Sequence, residues 1–491
     1  MKTASVIRDV VLELPALAAS SSGAEPTLEE MYFPESHMEA LDPDVALVIG
    51  NRGMGKTFWS LALANDDTRA AISARYSVGK AWGLSDVIVK FGFSDAEGSK
   101  GTISRAHLEK IAKRVPTDII WRAVLVKDLA EIGKIKVPQE FSKLVEWLRS
   151  NPDNQVSVFR SADLELSKNG KRILFIFDQL DQLATEWTRI QELTQGLLKT
   201  ALAMRSYKSI RLKIFMRPDQ AENRGLFRFP DASKISGSAK RLAWKVSDLY
   251  GLFFFEVFRR QEGKAALSRY CKRVGVNPVD VHSRLGIPTG LVSNPNSQGK
   301  LFDLIAGAMM GGGAKRGRPY TWIPTHLSDA KGEISPRTFL KVMRTAASEN
   351  DLDNPRTAMN HLGIIQGVRE ASGDRLRELE EDYPWISTAL KPLRGLLVPC
   401  EPAEVYGKWK HDDTVDVIKS RYSGASAPIE LVVTEGLHKH EVYSMLAILL
   451  SEVGVLEQRT NGKFNIPDIF RVNAGILRKG GVAPQQRNKF Q

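Results

Sequence analysis

Eight consecutive residues, Gly50-Asn51-Arg52-Gly53-Met54-Gly55-Lys56-Thr57, carry the spacing G-x-x-x-x-G-K-[ST]. The chemistry such a stretch performs is the binding of phosphate. Glycines let the backbone fold tightly, so that successive N–H groups converge on an anion. Lys56 is placed to reach the β- and γ-phosphates of a nucleotide, and the Thr57 hydroxyl to hold Mg²⁺. The five apolar residues Val45 to Ile49 ahead of the loop read as a short buried strand, and helix-forming residues follow it. The N-terminus of that helix adds its partial positive charge to the loop. The strand–loop–helix setting separates this motif from a glycine-rich turn, and we expect all eight residues to contact ATP with Mg²⁺.

A second stretch, KRILFIFDQLDQL from Lys171 to Leu183, supplies acids. Ile173 to Phe177 is an uninterrupted apolar run, the pattern of a strand buried on both faces. Asp178 stands at its end, where a carboxylate orients Mg²⁺, and Asp181 follows three positions later. The attacking water needs a carboxylate to polarise it. Gln179 cannot take a proton, so Asp181 is the expected base. Should Asp181 not reach the water, the site would bind ATP and hydrolyse it poorly. A further strand, IRLKIFM (210–216), ends in Arg217, a candidate sensor of the γ-phosphate. In ISPRTFLKVMRTAA (334–347), Arg337 falls in the first turn of a helix. A cation there opposes the helix dipole, so another interaction must select it, and a γ-phosphate would do so. Arg259 or Arg260, at the end of the apolar helix 242–260, are weaker candidates for a finger into a neighbouring subunit.

Charge is unevenly placed. The chain carries a formal +12, yet residues 201–350 alone hold 26 Lys/Arg against 11 Asp/Glu, so the remainder is net acidic. A local surplus of this size is the electrostatic footprint of a polyanion partner. The glycine-rich segment 309–322, with Lys315, Arg316 and Arg318, either touches nucleic acid or connects helices. In the C-terminal part, helices at 413–422 and 440–453 precede VLEQRTNGKFNIP (455–467), read as two strands joined by the two-residue turn Asn461-Gly462. Lys439, Arg459 and Lys463 would then contact phosphates. Residues 401–491 as a whole hold 12 basic and 11 acidic residues, which keeps a protein-contact role open.

The 491 residues exceed what one core supports. Two distant cysteines, Cys271 and Cys400, match no metal spacing or disulfide framework and fit a reducing cytoplasm. Asp9, Glu13 and Pro15 interrupt the N-terminal apolar run, so a signal peptide is not expected. The longest apolar patch, 249–258, is half the length of a membrane span. Between the two acid and phosphate motifs, 86–95 alternates like a strand, 117–132 has helical spacing, and 137–150 reads as a helix ended by Asn151-Pro152. The charged stretch 367–386 reads as a helix with a solvated face.

A phosphate loop, an acid-tipped Walker B strand, a strand with a polar tip and a lid helix opening on Ser335-Pro336-Arg337 resemble the AAA+ and STAND-like ATPases. Asp178 with Asp181, and Arg217-Pro218, look like the STAND and KAP side. The lid helix is similar to sensor 2 of origin-recognition initiators, which gives Arg337 that role. No membrane insertion of the KAP kind is present. The 122-residue spacing from Lys56 to Asp178 is longer than usual for such ATPases and implies an insertion within 75–165. The expected architecture is α/β: a parallel-sheet P-loop NTPase core with a helical lid and a C-terminal winged-helix domain. Its expected bounds are 1–30 N-terminal extension, 31–235 core, 236–350 lid, 351–403 helical connector and 404–491 winged helix. The expected function is a Mg²⁺-dependent ATPase, cytoplasmic and homo-oligomeric when ATP-bound, switching in response to nucleic acid, double-stranded DNA before RNA. Analogy alone suggests bacterial defence or mobile-element systems. The alternatives are a non-hydrolysing ATP-binding scaffold, or a signalling ATPase that recruits an effector protein without touching DNA.

Overall fold

The computed structural model describes residues 2–14, 25–76, 84–93, 103–276, 287, 289–311, 316–349, 356–422, 428, 431, 439–479 and 482–484. The chain divides into two units, one of residues 22–33 and 37–242, the other of 1–21, 34–36 and 243–491. Helix α1 (Lys2–Leu12) therefore belongs with the C-terminal half.

The apolar run at Ile173–Phe177 forms an interior strand of a parallel sheet. Strand β1 is Leu47–Ile49, and helices α2 (Lys56–Ala64) and α3 (Asp66–Arg75) follow the loop. Strand β2 is Val87–Phe91, within the alternating stretch. Next come α4 (Arg105–Ala112), α5 (Thr117–Ile132), α6 (Phe141–Ser150) and α7 (Pro152–Lys168), then β3 (Arg172–Phe177). Helix α8 (Trp187–Met204), β4 (Ile210–Met216), the short α9 (Pro218–Glu222) and α10 (Ser233–Ser236), and β5 (Lys240–Arg241) complete the unit. The sheet order is β2-β3-β4-β1-β5, parallel throughout, with Phe177 and Leu47 both in register with Ile214 on either side of β4.

The long spacing between the two motifs is a helical layer of this core. Trp121 of α5 is fully buried, meets the Phe177 ring edge-on at 5.5 Å, and donates its indole N–H to the Leu193 carbonyl at 2.7 Å. Asn151-Pro152 ends one helix but also starts the next, which the sequence reading missed. The Asn151 side chain accepts from the Asp153 N–H at 2.9 Å, and Pro152 fills the first position, where no N–H is needed. Strand β5 was also missed, because two residues carry no periodicity. Its neighbour Leu242 donates to the Ile49 carbonyl at 2.8 Å, which delays the next helix to Val246. Lys213 of β4 is buried, and its ammonium spans the carbonyls of Ala40, Asp42 and Val45 at 2.8, 2.9 and 2.8 Å. Burial pushes it down to about 7 against the pull of Asp42 and Asp44. It pins the segment that feeds β1.

The second unit is helical. It holds α11 (Val246–Phe258), α12 (Gln261–Val274), α13 (Thr289–Ser293), α14 (Pro295–Ala306), α15 (Pro319–Leu327), α16 (Pro336–Ser348) and α17 (His361–Asp382). Helix α1 packs on α12 and α16 through buried Ile7, Val10 and Val11. Helix α17 shows an exposed charged face, with Glu370, Arg377 and Glu381, and a packed one. Ile364, Val368, Ala371 and Leu376 are buried, and so is Arg375. Gly363 and Gly367 let α17 lie against α16. A Cβ there would stand 2.6 Å from the Ala346 carbonyl oxygen and 2.8 Å from that of Val342. Gly367→Leu is expected to lower the unfolding free energy of this unit by about 2–4 kcal/mol, read as a reduced denaturant midpoint.

The C-terminal elements are α18 (Trp385–Leu390), β6 (Leu397–Val398), α19 (Pro402–His411), α20 (Thr414–Arg421), α21 (Lys439–Glu452), β7 (Glu457–Gln458) and β8 (Phe464–Asn465). Helix α22 (Asp468–Ala474) and β9 (Leu477–Arg478) follow. The β7–β8 hairpin is antiparallel and Cys400 bridges to Phe464 beside it, so a strand and the three helices α19–α21 lead into the wing of a winged helix. The pairing corrects the expected two-residue turn. Arg459 donates to the Lys463 carbonyl at 2.9 Å and Gly462, at φ +82°, to that of Arg459 at 2.8 Å. The loop is thus Thr460-Asn461-Gly462, with glycine at the left-handed position that such three-residue loops require. No described helix is long and apolar enough to cross a membrane.

Candidate nucleotide-binding site

The phosphate loop leaves β1 at Gly50 and enters α2 at Lys56. Gly53 (φ +80°) and Gly55 (φ +100°) take left-handed conformations that side-chain-bearing residues rarely adopt, which is why the motif needs glycine there. Gly55 is the residue before the first helical turn, so the unbonded N–H groups of α2 open toward the loop. Lys56 folds over its own loop and donates to the carbonyls of Gly50 (2.7 Å) and Asn51 (3.1 Å).

The loop meets the acid-tipped strand directly. Thr57 donates from Oγ1 to Asp178 Oδ2 at 2.9 Å. Ser60, one turn further along α2, donates to the Thr57 carbonyl at 2.9 Å and stands 3.4 Å from the same Asp178 oxygen. The other oxygen of Asp178 accepts from the Gln179 N–H at 2.9 Å. Burial pushes the Asp178 carboxyl above the ordinary carboxylate range, against the Lys56 ammonium and these hydrogen bonds. Gln179 is left-handed at φ +58°, which swings the chain into the short turn Leu180–Gln182.

Asp181 sits in that turn, partly exposed, 3.5 Å from a terminal nitrogen of Arg217 at the tip of β4. Arg217 also makes a two-pronged pair with Asp219, at 3.1 and 2.9 Å, so two carboxylates flank one guanidinium. Because β4 lies between β3 and β1, the carboxyl ends of three adjacent strands gather Gly50–Thr57, Asp178, Asp181 and Arg217. The sequence reading missed Asp219 and Ser60. The signals were local: Asp219 is two residues past Arg217, and Ser60 is one helical turn past Thr57.

The oxygens present suit Mg²⁺. That ion takes hard oxygen ligands in near-octahedral geometry and usually binds through one or two protein groups plus phosphate and water. Thr57 Oγ1 and Asp178 Oδ2 are such a pair. Among the described residues no group of three or more His, Cys, Asp or Glu forms a cage that would hold a metal by itself. Asp178 must be ionised to serve. Since its folded-state carboxyl titrates above the ordinary range, Mg²⁺-dependent nucleotide affinity is expected to fall as pH drops through that raised value. Asp178→Asn should flatten the dependence in a titration followed by nucleotide fluorescence.

The remaining candidates belong to the second unit. Arg337 belongs to the helical unit, where it pairs with Glu378 of α17 at 2.8 Å, so a protein carboxylate meets the cation at that helix start. Arg259 pairs with Glu256 at 3.3 Å and Arg260 with Glu13 at 2.6 Å. Among the nucleic-acid candidates, Lys315 lies outside the described residues and Arg316 is exposed. Arg318 stands 2.5 Å from Asp303, Lys463 3.3 Å from Glu401, and Arg459 3.8 Å from Glu457. Lys439 opens α21.

A phosphate loop facing an acid-tipped strand, with one further strand inserted between them, defines a P-loop NTPase core. No protein-family profile and no curated protein matches the sequence. Solved structures similar to it include three archaeal ones. Aeropyrum pernix Orc1 in complex with DNA is 14% identical, over 94% of this chain and 93% of that one, at a TM-score of 0.30. Aeropyrum pernix Orc2 in ADPNP–ADP complexes is 12% identical, over 87% and 84%, at 0.34. Pyrobaculum aerophilum Cdc6p is 12% identical, over 92% and 94%, at 0.29. At TM-scores this low the likeness decides nothing further, and the functional reading rests on the site.

Proposed function

We propose that this chain is a Mg²⁺-dependent ATPase whose nucleotide state is coupled to nucleic acid. The observation that carries the ATPase reading is the 2.9 Å contact between Thr57 and Asp178, which joins the phosphate loop to the acid-tipped strand. Lys56 would leave its two loop carbonyls for the β- and γ-phosphates, which are stronger acceptors for an ammonium. Thr57 and Asp178 would hold the ion, whose chemistry is to draw charge off the phosphates. Asp181 would orient water, and Arg217 would contact the γ-phosphate. Arg337, released from Glu378, is the proposed second sensor. The coupling to nucleic acid rests on the basic surplus in residues 201–350 and on the winged helix. Homo-oligomerisation in the ATP state, a cytoplasmic setting and defence or mobile-element work are proposals from the same layout.

The test is ATP turnover with and without duplex DNA at low and high salt, with Lys56→Ala as the loop control. Turnover that DNA stimulates at low salt, and that the control lacks, supports the proposal. ATP binding without turnover under every condition rejects hydrolysis.

That second outcome is the reading of a non-hydrolysing switch that recruits an effector protein. Two observations favour it: Gln179 where a second acid would serve, and Arg217 resting 3.5 Å from Asp181.

A further inference from the structure

The cations expected on the wing and at Arg318 each stand within reach of a carboxylate of their own chain. Helix α12 differs. Over Gln261–Val274 it carries Lys264, Arg269, Lys272 and Arg273 against a single acid, Glu262. All four cations are exposed, while Ala266, Leu267, Tyr270 and Cys271 are buried on the other side.

Arg269, Lys272 and Arg273 have the spacing i, i+3, i+4, so they occupy one patch of helix surface, with Cβ atoms about 5–6 Å apart. Among the described residues none of these three forms an ion pair; Arg269 donates only to the Ala265 carbonyl of its own helix, at 3.2 Å. Like charges at this spacing repel. The negative end of the helix, closed by Gly275 at φ +71°, offsets part of that cost in its last turn. A third cation adds repulsion to both neighbours, and a polyanion would relieve it. The helix is firmly seated. Gly263 lies so close to the Val257 carbonyl that no Cβ fits, and α12 packs on α1, α11 and α14. Cations on a seated helix lose less conformational freedom on binding than cations on a loop.

We propose that the outer face of α12, centred on Arg269, Lys272 and Arg273 with Lys264 alongside, binds the phosphate backbone of duplex DNA without reading its sequence. The proposal rests on the nucleic-acid arm of the function given above and names its principal contact surface, ahead of the wing. Phosphate contacts of this kind release counterions, so affinity falls with salt at a slope of about 0.9 per contact.

The experiment measures binding of the full chain to a labelled random-sequence DNA duplex by fluorescence anisotropy, from about 50 to 200 mM salt. The wild type is compared with Arg269→Gln/Lys272→Gln/Arg273→Gln, with the charge-keeping Arg269→Lys/Lys272→Arg/Arg273→Lys, and with Arg459→Gln/Lys463→Gln on the wing. Thermal unfolding of each variant separates lost binding from lost folding. The neutral α12 variant should bind at least about 10-fold more weakly at 100 mM salt, with the log–log slope shallower by about 2–3. The charge-keeping variant should stay near the wild type, and the wing variant should change less than the neutral α12 variant. Should the wild type bind DNA while the folded neutral α12 variant binds with the same affinity and slope, the proposal for α12 is overturned and the nucleic-acid reading stands. Should the wild type fail to bind duplex DNA even at low salt, both fall. Tight binding to single-stranded RNA of equal length, with none to the duplex, would also overturn the choice of DNA.

Discussion

Asp181→Asn is expected to lower ATP turnover by roughly 10²–10³-fold while leaving ATP binding within a few-fold of wild type, the range that a positioned general base contributes. The substitution keeps the shape of the side chain and its reach to Arg217, 3.5 Å away, but removes its capacity to take a proton. Lys56, Thr57 and Asp178, which hold the nucleotide in the proposed reading, are untouched. Single-turnover kinetics beside equilibrium nucleotide binding separates the two effects. Loss of binding with turnover would show that Asp181 acts on the nucleotide itself. Retained turnover would assign the water to another group and end its role as base. A companion change, Asp219→Asn, is informative because Asp219 holds Arg217 by two hydrogen bonds at 3.1 and 2.9 Å. With that partner neutral and one of its two acceptors lost, Arg217 is expected to lean further onto Asp181, so turnover should fall with Asp181 still in place.

The parts of the site that could be read in the sequence are those whose chemistry is local in the chain. Gly53 and Gly55 announce left-handed backbone, and the apolar run before Asp178 announces a strand buried on both faces, because each property is set by a few consecutive residues. Strand β4 and helix α5 have the ranges read from the sequence, 210–216 and 117–132. What failed depended on distant partners. A two-residue strand such as β5 exists only because Ile49 and its neighbours offer it hydrogen bonds. Arg337 is a different case: its opposition to the helix dipole is local and visible in the sequence, its partner Glu378, 41 positions away, is not, and its sensor role stays a proposal. Helix α17 shows the solvated charged face its sequence indicates, while the packing at Gly363, Gly367 and buried Arg375 depends on partners the charges do not reveal.

The same cluster yields the second large effect. Glu378 serves two arginines, Arg337 at 2.8 Å through one oxygen and Arg375 at 3.3 Å through the other. Arg375 is buried, and Asp329, whose carboxyl burial pushes up to about 6 against the pull of Arg375, lies in the neighbouring turn. The residue after it, Ala330, donates to the Gly454 carbonyl at 2.8 Å, just past the end of α21 in the winged helix. Glu378→Ala withdraws the carboxylate from both arginines, and removal of one partner from a buried ionic cluster is costly. The helical unit is expected to lose about 2–3 kcal/mol, seen as a lower denaturant midpoint with unchanged slope. Glu378→Gln, which keeps the shape and one acceptor oxygen, should cost less. Arg337→Ala separates the two arginines, because it leaves the Glu378–Arg375 pair in place and should destabilise by well under half as much. Equal losses from Arg337→Ala and Glu378→Ala would instead make Arg337 a structural residue, and its proposed role as a γ-phosphate sensor would lose the free-energy difference needed to draw it away from Glu378.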